Sequence, residues 1–260
     1  MKSMRRRLAA LLAVLVLGCI AGASAEVVQT DDLRITVLSQ IEPSKLPRMG
    51  TAPIAVFVSG HISTPNGAVP PQLQQMTVYV NSHGRLQSKG LPSCPLARIE
   101  TSSSEDAVAS CGEALVGSGR FWASVVFPDQ RPYPTRGRLL VFNGRQAGEE
   151  MIFAHIYTTV PFTTSFVIPF RLQRIHKGPY GTKLTASLPA ALGEWGFVDR
   201  IKLTLRKKYT FRGEHLSYFN AGCPAPRGAA AATFPLARAS FQFGEGKSIA
   251  ITVPKTCRVG

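Results

Sequence analysis

Acidic side chains are scarce in this chain: 15 Asp and Glu stand against 30 Lys and Arg, for a formal charge of +15. After Gly117 the acids are Asp129, Glu149, Glu150, Glu194, Asp199, Glu214 and Glu245. Two of them could converge as a glycosidase pair, because such carboxylates come from distant positions, but no spacing favours it. Other catalytic signatures are missing. There is no Gly-x-Ser-x-Gly elbow, no His-Glu-x-x-His, no Walker loop and no dinucleotide fingerprint. That removes the sequence grounds for a serine hydrolase, a zinc protease, a nucleotide hydrolase or a nicotinamide-dependent enzyme. The five histidines, His61, His83, His155, His176 and His215, stand singly and suggest no ligand pair. No cofactor, no metal and no catalytic residue is implied.

Long apolar runs are equally rare. Met1 to Arg7 carry Lys2, Arg5, Arg6 and Arg7, and Leu8 to Ile20 are uncharged and mostly Leu, Ala and Val. That run is short of the ~20 residues a spanning helix needs, and it ends in Ala23-Ser24-Ala25. A basic start, a short apolar stretch and small residues at its end form a secretory signal peptide; cleavage is expected after Ala25, leaving a secreted or extracytoplasmic protein. The rival reading is a lipoprotein anchored through Cys19, which the bulky Leu17 fits poorly. No later run is long enough to span a membrane.

Cysteine is sparse but even in number after the leader: Cys94, Cys111, Cys223 and Cys257. In an exported chain such a set points to disulfides. Three pairings are possible, and clustering along the chain favours Cys94 with Cys111 and Cys223 with Cys257. Each bridge is worth roughly 3 kcal/mol by loop entropy. Metal binding is the competing reading, but there is no Cys-x-x-Cys and no His lies within four residues of any cysteine.

What is present is a period of two. Leu33–Leu38, Ile54–Val58, Met76–Val80, Phe121–Phe127, Arg138–Phe142, Met151–Tyr157, Ser165–Leu172, Ile201–Leu205, Ala237–Phe243 and Ser248–Val253 are short, β-branched or aromatic, and bounded by Gly, Pro or Asn. They predict an all-β protein built as an antiparallel sandwich or barrel. One short helix is expected from Ser104 to Leu115, with Ser104 as N-cap ahead of Glu105 and Asp106. Pro47–Thr51, Gln75–Val80 and Ser93-Cys94-Pro95 are echoed by Pro179–Thr182, Arg200–Leu205 and Gly222-Cys223-Pro224. These echoes predict two similar lobes from an internal duplication, an N-terminal one over residues 26–147 and a basic C-terminal one over 148–260. Alternatively, Asn143-Gly144 turns a hairpin across the boundary and both halves share one sheet.

Charge separates the halves. Glu26 to Glu150 hold 11 basic and 11 acidic residues, whereas Met151 to Gly260 hold 15 and 4. Lys202, Arg206 and Lys208 alternate beside Lys207, and a surface of this kind attracts polyanions. Arg171, Arg174 and Lys177 add to the charge of the same half. Tyr209, Phe211, Tyr218 and Phe219 flank this cluster and the Arg212-Gly213 turn, and are the best candidates for exposed contact. Lys202, Arg206, Lys207, Lys208, Arg212, Tyr209 and Phe211 thus form the expected anion-binding site. The blander reading is a solvated strand face that protects an edge from pairing. Trp122, Trp195, Phe121, Phe127, Tyr157, Phe166 and Phe170 lie mostly in alternating segments, where a core role competes with a sugar-stacking platform.

The segments Gly137–Arg145, Thr164–Phe170, Tyr180–Pro189, Ala221–Pro226 and Phe234–Phe241 resemble those of a group of uncharacterised, secreted β-rich proteins from soil actinobacteria. The resemblance covers most of the mature chain and implies export and a shared scaffold, but no activity, ligand or catalytic residue. The function expected is non-enzymatic binding of an anionic partner: a wall polymer, an acidic polysaccharide or a lipid headgroup surface. A secreted hydrolase acting on a polymeric substrate and a purely structural envelope scaffold are the alternatives. Nucleic acid is not expected, since export removes the chromosome and no recognition motif is present.

Overall fold

Each of the ten alternating segments lies wholly or mostly in a strand. The structure, a computed structural model, describes residues 25–30, 32–127, 131–188 and 196–260; the leader up to residue 24, Cys19 included, and Asp129, Glu194 and Trp195 lie outside these. In chain order the strands are β1 (Ala25–Gln29), β2 (Arg34–Glu42), β3 (Lys45–Leu46), β4 (Ala52–Pro53), β5 (Ala55–Ser63), β6 (Leu73–Asn81) and β7 (Gly84–Leu86). After helix α1 (Ser104–Cys111) come β8 (Leu115–Val125), β9 (Tyr133–Gln146), β10 (Glu149–Thr158), β11 (Thr164–Lys177) and β12 (Tyr180–Ser187). The chain ends with β13 (Gly196–Leu205), β14 (Lys208–Phe211), β15 (Glu214–Ser217), β16 (Phe219–Ala221), β17 (Ala231–Phe243) and β18 (Ser248–Val259).

Thirteen of these form one sheet in the order β1-β2-β5-β13-β8-β9-β10-β11-β12-β6-β17-β18-β3. Every ladder in it is antiparallel except β18 with β3. The protein is therefore all-β. Strand twist curls a wide sheet on itself, here until β1 lies beside β18. Leu33, Ile35 and Ile62 from one end of the order then pack against Phe241, Phe243 and Ile251 from the other. Among the described residues no ladder joins β1 to β18, so their sheet curls without closing. At the seam Lys247 Nζ lies 2.6 Å from Asp32 and 2.9 Å from Glu245.

The curl demands glycine where strands approach most closely. A Cβ on Gly119 would sit 1.9 Å from the Lys202 carbonyl oxygen, and one on Gly137 would sit 2.3 Å from that of Tyr157. Any side chain there would push β8 from β13, or β9 from β10.

The two halves of the chain share this sheet: β13 lies between β5 and β8, and β6 between β12 and β17. Residues 26–147 and 148–260 thus form no separate sheets. A hairpin does cross their boundary, but its turn is Ala147-Gly148, with φ of 48° and 82°, the left-handed pair that a two-residue hairpin requires. Asn143-Gly144 lies inside β9, where Asn143 Nδ2 donates to the Pro92 carbonyl at 2.9 Å and Gly144 leaves room for the Phe153 ring. Packing overrides the local turn preference.

Helix α1 covers the sheet from outside. Its cap is one residue earlier than the sequence suggests: Ser103 Oγ accepts from the Asp106 amide at 3.1 Å. Leu139 and Val141 face the barrel interior, while Leu140 and Phe142 face outward beneath α1, with Met151, Phe153 and Val167. The unbroken apolar run of β9 is thereby buried on both faces. Each fully buried side chain of this size contributes about 2–3 kcal/mol. The Cys94–Cys111 bridge ties the start of this covering segment to the end of the helix, and Cys223–Cys257 closes a second loop. Loop entropy gives them about 3 and about 4 kcal/mol.

Candidate functional site: a cationic cleft on the outer sheet face

Alternation fixes which side chains leave the barrel between β13 and β10. Phe121, Ala123, Leu139, Ile156, Ile201 and Leu203 point into the core, so Arg120, Trp122, Arg136, Arg138, Tyr157, Arg200 and Lys202 point out. The ladders align them in two rows. In one, Lys202 faces Arg120, Arg120 faces Arg138 and Arg138 faces Tyr157. In the other, Arg200 faces Trp122, and Trp122 faces Arg136. Neighbouring strands are about 4.8 Å apart and the rows about 7 Å, so five cations crowd around one indole. All five are exposed and Trp122 is half-buried. Among the described residues none of the five has an ion-pair partner; the ion pairs are Arg171–Glu149, Lys247–Asp32 and Lys247–Glu245.

The start of α1 forms a wall beside these rows. Ser103, Ser104, Glu105, Arg120, Trp122, Arg136, Arg138 and Tyr157 line a cleft of ≈ 830 Å³, with Gly119, Gly137, Thr158 and Thr159. Glu105 is the one acid in this lining. Ser104 is only 5% exposed, and its hydroxyl has no hydrogen-bond partner. The wall is held by His155, which is fully buried and whose Nε2 lies 3.1 Å from the Ser102 carbonyl and 3.2 Å from Ser165 Oγ. A carbonyl only accepts, so Nε2 carries the proton and cannot act as base toward Ser165. Burial holds the imidazole below its ordinary pKa. This pair anchors the start of α1 over β10 rather than activating a nucleophile. At the other edge Asp199 Oδ2 accepts from Ser124 Oγ at 2.9 Å. Burial raises the pKa of Asp199, against the opposing effects of Ser124, His61 and Arg200.

The residues expected from sequence are divided between two places. Lys202 lies in the cleft-side rows. Arg206 and Lys207 lie past the end of β13, and Lys208 opens β14, so Lys202, Arg206 and Lys208 do not share one strand face. Tyr209 is half-buried and its hydroxyl donates to the carbonyls of Gln87 and Lys89. Phe211 packs against Gly90, where a Cβ would come within 2.2 Å of the ring, and the Arg212 guanidinium lies 5.2 Å from the same ring. These two aromatics fasten the β14–β15 hairpin to the 87–90 loop. Tyr218 and Phe219 are buried in the core, which corrects the expectation that they are exposed contacts. Each has an apolar partner at hand, the two rings meeting at 4.9 Å.

Arg120, Arg136 and Arg138 escape a reading by charge balance because they belong to the neutral half of the chain. One signal for them exists: in Arg120-Phe121-Trp122-Ala123 the apolar alternate residues go inward, which puts Arg120 and Trp122 on one outward face. A second cationic patch, Lys183 and Arg238 on either side of Tyr79, lies outside the cleft. Lys177 Nζ sits there 5.6 Å from the Tyr79 ring. No protein-family model, no curated protein and no solved structure matches the chain.

Proposed function

We propose that this chain is an exported binding protein that holds an anionic polymer at or beyond the cell surface through the outer face of β13, β8, β9 and β10, without catalysis. The observation that carries this reading is the set of Arg120, Arg136, Arg138, Arg200 and Lys202, exposed around Trp122 and free of ion-pair partners among the described residues. Like charges placed opposite one another cost stability, so a site evolved for folding alone would intersperse acids. Paired disulfides fit an oxidising compartment, and no helix among the described residues is long and apolar enough to cross a membrane.

Retention of the mature protein on an immobilised acidic polymer tests the reading. It is expected to fall steeply from low to moderate salt, because exposed charges are screened over about 10 Å at 0.1 M. Replacing Arg120, Arg138 and Lys202 together by Glu abolishes it. Full retention by that variant, melting like the parent, overturns the proposal.

A further inference from the structure

Resting on the reading above, we infer that the occupant of the cleft is an acidic glycan: a sugar ring stacks on Trp122 while its carboxylate or sulfate sits between Arg120, Arg138 and the amino end of α1. The first support is the arrangement of charge about the indole. Arg200 and Arg136 flank Trp122 across the ladders, which gives a flat apolar surface bordered by cations on both sides. A polyphosphate gains nothing from an indole placed there, whereas the apolar face of a pyranose does; an indole also suits a lipid headgroup layer, but a flat bilayer surface does not enter a cleft walled by α1.

A second, independent support is at the helix. Ser104, a residue of the cleft lining, is more than nine-tenths buried, and its hydroxyl is buried behind the wall without a partner. A buried polar group left unpaired costs about 1–3 kcal/mol, which an oxyanion reaching that hydroxyl through a small shift of the wall would offset. The first turn of a helix also directs amide N–H groups and the positive end of its dipole outward. Ser103 Oγ satisfies the Asp106 amide and the Ser103 carbonyl accepts from Ala107, so the amides of Ser104 and Glu105 are the ones available. Glu105 opposes an anion here and limits how tightly it is held. The cations from Lys202 to Arg138 span two strand spacings, about 10 Å, and the whole row from Lys202 to Tyr157 three, about 14 Å, so the rows accommodate a short oligosaccharide rather than a single sugar.

Calorimetric titration of the mature protein decides between occupants. The probes are a sulfated hexasaccharide, an oligogalacturonate, inorganic polyphosphate of matched charge and a neutral cello-oligosaccharide, each at low and moderate salt. One or both acidic oligosaccharides are expected to bind, with the stronger arm identifying sulfate or carboxylate as the anionic group. Polyphosphate binds at least tenfold more weakly and the neutral sugar negligibly. Trp122→Leu weakens the acidic sugar about tenfold and leaves polyphosphate unchanged, Trp122→Phe restores most of the loss, and Ser104→Ala weakens the sugar several-fold. Should the Trp122 variants fail to fold, the ranking of the acidic oligosaccharides against polyphosphate on the parent protein, together with Ser104→Ala, provides the same comparison. Polyphosphate binding as tightly as the acidic sugars, or acidic sugars indifferent to Trp122→Leu and Ser104→Ala, overturns the glycan inference while leaving anion binding intact. Binding of no polyanion overturns both.

Discussion

Arg120 on β8 faces Arg138 directly across the antiparallel ladder, and no carboxylate among the described residues pairs with either. Two like charges on opposed strand positions repel by roughly 0.2–1 kcal/mol. Replacing Arg138 by Gln should therefore stabilise the fold by up to that amount while weakening polyanion binding several-fold. Urea denaturation together with salt elution measures the two effects on the same variant. A loss in both would assign Arg138 a role in packing instead.

Glu105 gives the converse case. At the first turn of α1 its charge supports the helix by about 0.3–1 kcal/mol, yet it is the one acid lining the cleft. Glu105→Gln should lower stability by no more than that amount and tighten binding of an acidic ligand about two- to fivefold, which is under 1 kcal/mol.

Acid sensitivity should trace to His155. Its folded-state pKa is depressed by burial, so the unfolded chain takes up a proton first as the pH falls from about 6.5. Stability contributed by the neutral imidazole is fully present above that value. It is lost as the pH descends toward the folded-state pKa, with a slope of at most about 1.4 kcal/mol per pH unit. Melting curves between pH 7 and 5 should show this slope in the parent protein and its absence in His155→Gln. An unchanged slope in the variant would move the effect to other groups.

The Cys94–Cys111 bridge holds the cleft wall in place through α1. Replacing both residues by Ala is expected to cost about 3 kcal/mol, and binding should weaken beyond what the melt alone explains, because Ser103 to Glu105 lose their footing over β10. Leu140→Ala, beneath the same helix, should cost 2–5 kcal/mol.

Burial periodicity made the strands legible, since side chains alternating between core and a more exposed face leave a period of two, most plainly in β2 and the first half of β18. The cysteine pairing was legible for a related reason: partners close in sequence need only short loops. The site was less so. A sequence shows that Lys202 and Arg120 each stand on an outward face, but only the order β5-β13-β8-β9 makes them neighbours, and that order joins residues 82 positions apart. The Lys202–Lys208 run reads as one strand because nothing local marks the break after Leu205, where the chain leaves one ladder for another. The neutral and basic halves of the chain do not map onto separate surfaces for the same reason, as Arg136 and Arg138 lie on the face that also carries Arg200 and Lys202.

Footprinting with an arginine-selective dicarbonyl reagent, read by mass spectrometry with and without a saturating acidic oligosaccharide, places the ligand most directly. Protection of Arg120, Arg136, Arg138 and Arg200, with Arg206, Arg212 and Arg238 still modified, is the predicted result. Protection confined to Arg206 and Arg212, with the residues around Trp122 reacting as freely as before, would contradict it.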